Sequence, residues 1–322
     1  MTAQTVVLGC IAAWLCLGVA QARELRVADT HPAGYPTVQA LDHMGRLLAE
    51  RSHGQLTLKV LHSRLMGEEA ETIQHVRIGA LDMARVNMAP LADLVPEAMV
   101  PSLPFVFAST DHLHRVFDGP IGAEIAKAFE SHGFVVLAFY DSGARSFYNS
   151  RHPVRQPSDL HGLRIRVQQS QVAEAMIGAL GAVAAPLPYG QVGVGLSTGV
   201  IDGAENNWPS YQDAGHYKNA RYYSRTEHTM APEVLLISEK AWGELNAAEQ
   251  AMLRQAAQDS VAVMRELWQR REQTAMQAVT QAGAEVNTVD KAAFVAAMRP
   301  VYLRFAATPH LADLLRRIRA AE

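Results

Sequence analysis

In the segment Leu163-Arg-Ile-Arg-Val167, apolar residues alternate with two guanidinium groups, as in a strand with one face buried. That spacing puts Arg166 near the strand's carboxyl end, where open α/β sheets bind their ligands. A planar guanidinium presents two parallel donors and stays charged at any physiological pH, so it is suited to gripping a carboxylate. The competing reading pairs Arg166 with a local acid such as Asp159, while Arg164 reads as solvated. A second cation, Arg145, closes the run Asp141-Ser-Gly-Ala-Arg145 directly after the apolar FVVLAFY. Further on, Asp202-Gly-Ala-Glu-Asn-Asn-Trp-Pro209 carries Asn206 and Asn207, whose amides both donate and accept. Trp208 and Tyr211 suit either a sugar face or a buried hinge. Towards the amino terminus, His31 follows ELRVAD, Asn87 ends LDMARVN, and Glu68-Glu69 open a helix after Gly67. An acid in that last position complements the helix dipole as readily as it meets a ligand.

Other chemistries lack their signatures. There is no Gly-x-Ser-x-Gly, no His-Glu-x-x-His and no phosphate loop ending in Gly-Lys-Ser/Thr. Gly193-Val-Gly195-Leu-Ser-Thr-Gly199 has one residue too many before its last glycine and precedes a strand-like run, so it does not read as a dinucleotide fingerprint. His112 and His114 would lie roughly 200° apart on a helix, too far round to share a metal ion, and read as part of a solvated helix face. With 29 Lys and Arg against 32 Asp and Glu, the net charge is −3, and no basic surplus points to nucleic acid. No catalytic group, metal or cofactor is expected, with His31 the only candidate base.

These groups need elements to hold them. From Glu24 onwards, short β-branched runs alternate with helical segments: ELRVAD, a periodic stretch from Tyr35 to Arg51, QLTLKVL, a helix after Gly67, then LDMARVN. A second set follows, with FVVLAFY, LRIRV, a helix through Ala173–Leu180 and the run GVIDGAEN. The pattern is that of mostly parallel sheet covered by helices, in two units. Between them Asp141–Asp159, with Gly143, Pro153 and Pro157, reads as a crossing outside the core. After Asn246 a capping-box-like start leads into a stretch from Ala247 to Ala282 without Gly or Pro, which Gly283 stops. Such a helix spans roughly 54 Å, wider than one lobe of about 150 residues. Its stripe of Leu253, Ala257, Val261, Met264, Trp268, Ala275 and Ala282 is expected to pack along both lobes.

The 322-residue chain is uneven at its front. Residues 1–22 hold no charged side chain and both cysteines, Cys10 and Cys16. VVLGCIAAWLCLGVA followed by Ala20-Gln21-Ala22 reads as a secretory leader cleaved after Ala22, although its start lacks a Lys or Arg. The remainder, without cysteine, has no disulfide or thiol chemistry.

In order, MGEEAETIQHVRIGALDMARVN, VPSLPFVF, GLRIRVQQS and TGVIDGAENNWPSY, with the strand ELRVADTHP before them and the long helix after, resemble the DctP-like solute-binding proteins of tripartite ATP-independent periplasmic (TRAP) transporters. The resemblance implies a two-lobed α/β periplasmic binding protein fold, type II-like, braced by a helix spanning both lobes. It implies that Arg166 grips the ligand carboxylate, that Arg145 supplies a second cation, and that Asn206, Glu69, Asn87 and His31 face the cleft. Gln168 stands where the family commonly has Pro and joins that polar ring. DSGARS, RVQQS and AENNWPSY resemble the branch associated with hexuronates such as glucuronate and galacturonate; four-carbon dicarboxylates and pyroglutamate are the alternatives, and a sensory receptor is the rival role. The expected lobes are residues 23–144 with 233–272 and residues 145–232 with 273–322. The implied partners are a small and a large integral membrane subunit, and the implied location is the periplasm, as a monomer.

Overall fold

A computed structural model describes residues 22–322. The expected leader, except for its final residue Ala22, lies outside the described residues, as do Cys10 and Cys16. The first lobe starts with β1 (Arg23–Ala28), α1 (Pro36–Arg51), β2 (Leu56–Leu61), α2 (Glu69–Arg77) and β3 (Met83–Asn87), with β1 parallel to both β2 and β3. On α1, Val38, Leu41, Met44 and Leu48 recur at helical spacing and are all buried, which fixes the face it lays on the sheet. Three helices follow, α3 (Pro96–Met99), α4 (Thr110–Phe117) and α5 (Pro120–Ala128), and then the long strand β4 (Phe134–Asn149). The second lobe contains β5 (Arg164–Val167), α6 (Gln171–Ala179), β6 (Val183–Pro186), α7 (Val192–Ser197), β7 (Gly203–Asn206) and α8 (Trp208–Asp213). After these come β8 (Tyr222–Ser238), α9 (Glu239–Gly243), α10 (Ala247–Gln281), β9 (Glu285–Thr288), α11 (Lys291–Ala297), α12 (Arg299–Phe305) and α13 (Pro309–Ala320).

The sheet runs β2-β1-β3-β8-β4-β7-β5-β6, with β9 added alongside β8. Both β4 and β8 belong to two lobes at once. The carboxyl half of β8 pairs with β3 and with the amino half of β4, whereas its amino half pairs with the carboxyl half of β4 and with β9. The expected crossing at Asp141–Asp159 is therefore not outside the core: as far as Asn149 it is strand, with Asp141, Ser142, Arg145 and Ser146 all buried. Its polar residues hid it because they face a polar interior. The register between β4 and β8 slips between Asp141 and Ala144 and again between Arg145 and Phe147, and left-handed backbone sits on both strands there, Gly143 at φ 63° and Glu227 at φ 46°.

The long helix is as expected in length and start. The side chain of Asn246 accepts from the amides of Ala248 and Glu249, and Glu249 accepts in return from the Asn246 amide. Leu253, Met264 and Trp268 join the first lobe's core, and Ala275 and Val279 join the second's. Ala282 lies past the helix end and is exposed, and Val261 is half-buried, so the stripe is shifted towards Ala256, Ser260 and Val279. Three local expectations also change. GVIDGAEN is strand only from Gly203, and Gly193 and Gly195 lie within α7. His112 is buried, with Nε2 2.7 Å from the Ile318 carbonyl, and His114 pairs with Asp141 at 2.7 Å, so neither belongs to a solvated metal-like pair. α13 packs on the first lobe, not the second, since Arg317 clasps Glu124 of α5 with two bonds of 2.7 Å.

Candidate ligand-binding site between the lobes

A cavity lies between the lobes where β4 and β8 cross, and all seven expected residues, His31, Glu69, Asn87, Arg145, Arg166, Gln168 and Asn206, line it. The strands explain this meeting. Asn87 ends β3, Asn206 ends β7, Arg166 is the penultimate residue of β5, and Gln168 follows that strand, so the carboxyl ends of strands from both lobes point at one volume. The lobes touch across the cleft: Tyr35 and Ser210 share a hydrogen bond of 2.9 Å, and the Gly190 amide donates to Glu68 at 3.1 Å.

Arg166 has no ion pair among the described residues. Its Nε donates to the Leu187 carbonyl at 2.8 Å, and burial pulls its pKa below the usual arginine range. The Asp159 alternative fails, because that carboxylate accepts from the amides of Arg155 and Gln156. Arg164 points the other way, into an ion pair with Asp202. Behind Arg166, burial and the nearby cation push His216 down to about 3, and the neutral imidazole shares a hydrogen bond of 2.7 Å between Nδ1 and the Tyr148 hydroxyl.

Arg145 is placed differently. Glu205 takes its Nε and Nη2 at 2.5 and 2.6 Å, the Glu205 carbonyl takes Nη2 at 2.8 Å, and Asn206 Oδ1 takes Nη1 at 2.9 Å. Of five N–H donors one remains, and the charge is matched by Glu205. Burial works against the ionised form of Glu205, yet Arg145 and His228 outweigh it and hold the carboxyl down at about 2. Asn206 Oδ1 also accepts the Asn207 amide at 2.9 Å, which turns its NH₂ away from these partners.

The first-lobe side is acidic. Glu69 accepts from the Asn87 amide and side chain at 2.9 and 3.0 Å, and Gln168 approaches its other oxygen at 3.5 Å. Glu69 thus serves the cavity wall in preference to the helix dipole. His31 stacks on Tyr35 with centroids 3.8 Å apart, and Arg85 donates to its Nδ1 at 2.7 Å. The same Nδ1 lies 3.2 Å from Asp29 Oδ1, and burial and the Arg85 charge push the His31 imidazole below its ordinary pKa. Trp208 and Tyr211 are core residues: Trp208 stacks on Tyr223 at 3.6 Å, and the Tyr211 hydroxyl donates to the Ala220 carbonyl.

Sequence reasoning missed Glu233 and Arg85. Glu233 is fully buried on β8, faces the cavity and lies 3.2 Å from Arg85, which in turn is paired with Asp29; burial raises its pKa to about 7. The signal was present as an acid inside the apolar Pro232-Glu-Val-Leu-Leu-Ile237 and an arginine inside LDMARVN. Tyr189 and Ser210, also lining the cavity, carried no such mark. Around this volume three arginines, Arg85, Arg145 and Arg166, meet four carboxyl groups, Asp29, Glu69, Glu205 and Glu233.

The profile of the DctP family, bacterial extracellular solute-binding protein family 7, matches residues 27–308. The chain belongs to that family. Among solved structures, a TRAP periplasmic solute-binding protein from a Bradyrhizobium species in complex with D-galacturonate is 51% identical, with a TM-score of 0.91 over 92% of this chain and 100% of that one. Another, from Roseobacter denitrificans with bound β-D-glucuronate, is 40% identical, with a TM-score of 0.91 over 93% of this chain and 100% of the other. The C4-dicarboxylate-binding protein of Rhodobacter capsulatus is 27% identical over 79% of this chain and 78% of its own. This DctP-family protein is a TRAP solute-binding protein on a two-lobed α/β scaffold, and its family binds solutes without transforming them. No helix among the described residues is long and apolar enough to cross a membrane.

Proposed function

We propose that this protein captures a hexuronate, D-glucuronate or D-galacturonate, in the cavity between its lobes and delivers it to TRAP membrane subunits from the periplasm, after removal of the leader at residues 1–22. The observation that carries this is the mixed lining of the cavity. It holds Arg166, which has no ion pair among the described residues, together with Glu69 and Glu233. A monocarboxylic sugar acid matches both kinds of group, its carboxylate on the Arg166 fork and its hydroxyls donating to the acids. The second carboxylate of a four-carbon diacid would meet like charge. The bound relatives from Bradyrhizobium and Roseobacter support the same choice.

In this arrangement Arg145 gives the ligand its one remaining N–H and chiefly holds Asn206, whose NH₂ reaches the ligand. Asn87, Gln168 and the His31 imidazole complete the polar ring. The lobes divide at the crossing of β4 and β8, where residues 141–145 and 226–230 bend. A ligand touching both lobes stabilises the closed form by its affinity difference between closed and open states, and the membrane subunits read that difference on a monomeric protein. A thermal-shift panel on the mature chain tests the choice: glucuronate and galacturonate raise Tm, and malate, succinate and pyroglutamate do not. A shift with the diacids or pyroglutamate alone overturns it.

A further inference from the structure

The cavity does not end at the polar ring. A second pocket adjoins it, and Asn87, Arg145 and Gln168 line both. The two volumes differ in chemistry. The first is walled by charged and amide groups, whereas the second adds an apolar wall of Ala89, Pro104, Val172, Ala173, Met176 and Pro232 to the polar groups of Ser102, Ser170, Glu205 and Thr229. It also lies between lobes, because Ala89 and Pro104 come from the segment after β3, and Val172, Ala173 and Met176 come from α6. Two buried polar atoms on its wall, Ser170 Oγ and Asn87 Oδ1, have no hydrogen-bond partner among the described residues, and the Ser170 residue is only 1% exposed. Between the chambers, the Gln168 side chain is held by a single long contact of 3.5 Å to Glu69. A wall of that kind parts at little cost.

We infer that the site also accepts hexuronates carrying one small apolar substituent, an O-methyl or short O-alkyl group, which occupies this second chamber. The inference rests on the hexuronate reading and deepens it. A free hexuronate fills the polar cavity alone. A substituted acid keeps its carboxylate on Arg166, passes its ether oxygen beside Gln168 and Ser170, and buries its alkyl carbon against Ala173 and Met176. Only a substituent on the ring oxygen nearest Asn87, Arg145 and Gln168 reaches the chamber, so the site is selective for one position of substitution.

Calorimetric titration of the mature protein with D-glucuronate, D-galacturonate, their methyl glycosides and the mono-O-methyl ethers at each other ring hydroxyl tests this. One substituted position should bind within about ten-fold of the free acid, the low end of what one methylene is worth in an apolar pocket, and the others more weakly than that. Ala173→Leu, which fills the chamber from α6, should lower the ratio of substituted-acid to free-acid affinity by about ten-fold or more. Free-acid binding by the variant reports that it is folded, and a Met176→Phe variant gives the same reading should the first not fold. Loss of more than ten-fold at every position, or an unchanged ratio in both variants, overturns the inference while leaving the hexuronate reading standing. Failure of both free acids to bind overturns both.

Discussion

Arg166 differs from the two other arginines around the cavity in having no carboxylate of its own. Asp29 and Glu233 flank Arg85, and Glu205 neutralises Arg145. Arg166→Ala should therefore weaken hexuronate binding by about 2–5 kcal/mol, the range for removing one partner of a buried charge pair. Its unfolding free energy without ligand should not fall, because the change removes a buried cation that has no carboxylate paired to it among the described residues. Titration calorimetry and chemical denaturation read the two effects separately. Glu233 gives a pH signature. Its folded pKa of about 7 lies above the ordinary 4.5, so the folded form holds its proton more tightly; this contribution to stability is full below pH 4.5 and is lost as pH rises through 7. In Glu233→Gln the stability profile between pH 4.5 and 7 should flatten, by up to about 1.4 kcal/mol for each pH unit removed from the slope. Urea denaturation at four pH values measures it. At this scale the sequence displayed the residue types that line the cavity, since a charged or amide group at a strand's end is conspicuous. It did not display Glu205 as the partner of Arg145, because two residues 60 apart become neighbours only through the pairing of β4 with β7.

Among the elements, β1, β2, β3, β5 and α10 were legible because each obeys one period from end to end. β4 was not, because it leaves one lobe at Tyr140, carries Asp, Ser, Gly and Arg through a polar interior, and resumes an apolar pattern at Phe147. Gly143 at that crossing has φ 63°, and a Cβ there would stand 2.6 Å from Trp268 Nε1 and 2.8 Å from Glu272 Oε1 of α10. Gly143→Ala should cost about 1–3 kcal/mol of stability through strain and clash together. The effect belongs to the crossing, so ligand contacts stay intact and the loss appears in thermal denaturation with and without ligand. At the other end of the architecture, Asn246→Ala removes the acceptor for two amides at the start of α10 and should cost about 1 kcal/mol. A lower Tm with unchanged affinity is the expected outcome.

The molecule as a whole is two lobes tied three times: by β4 and β8 in the sheet, by α10 along one face, and by α11 to α13, whose buried Phe294, Met298, Val301 and Leu314 share one core with both lobes. The first two ties could be read from strand and helix lengths. The third could not, because α13 carries an amphipathic pattern that fits either lobe, and its choice of the first depends on Glu124 and on His112 meeting the Ile318 carbonyl. Contacts across the cleft at Tyr35–Ser210 and Glu68–Gly190 mark a closed arrangement. A ligand at 100 times its Kd should add about 2.7 kcal/mol to stability, and small-angle scattering should show a smaller radius of gyration on adding galacturonate. The most direct test of the central claim is a crystal structure of the mature protein with D-galacturonate. The sugar carboxylate should lie on the Arg166 guanidinium with ring hydroxyls towards Glu69 and Glu233. A carboxylate placed away from Arg166, or density on the surface with an empty cavity, would contradict it.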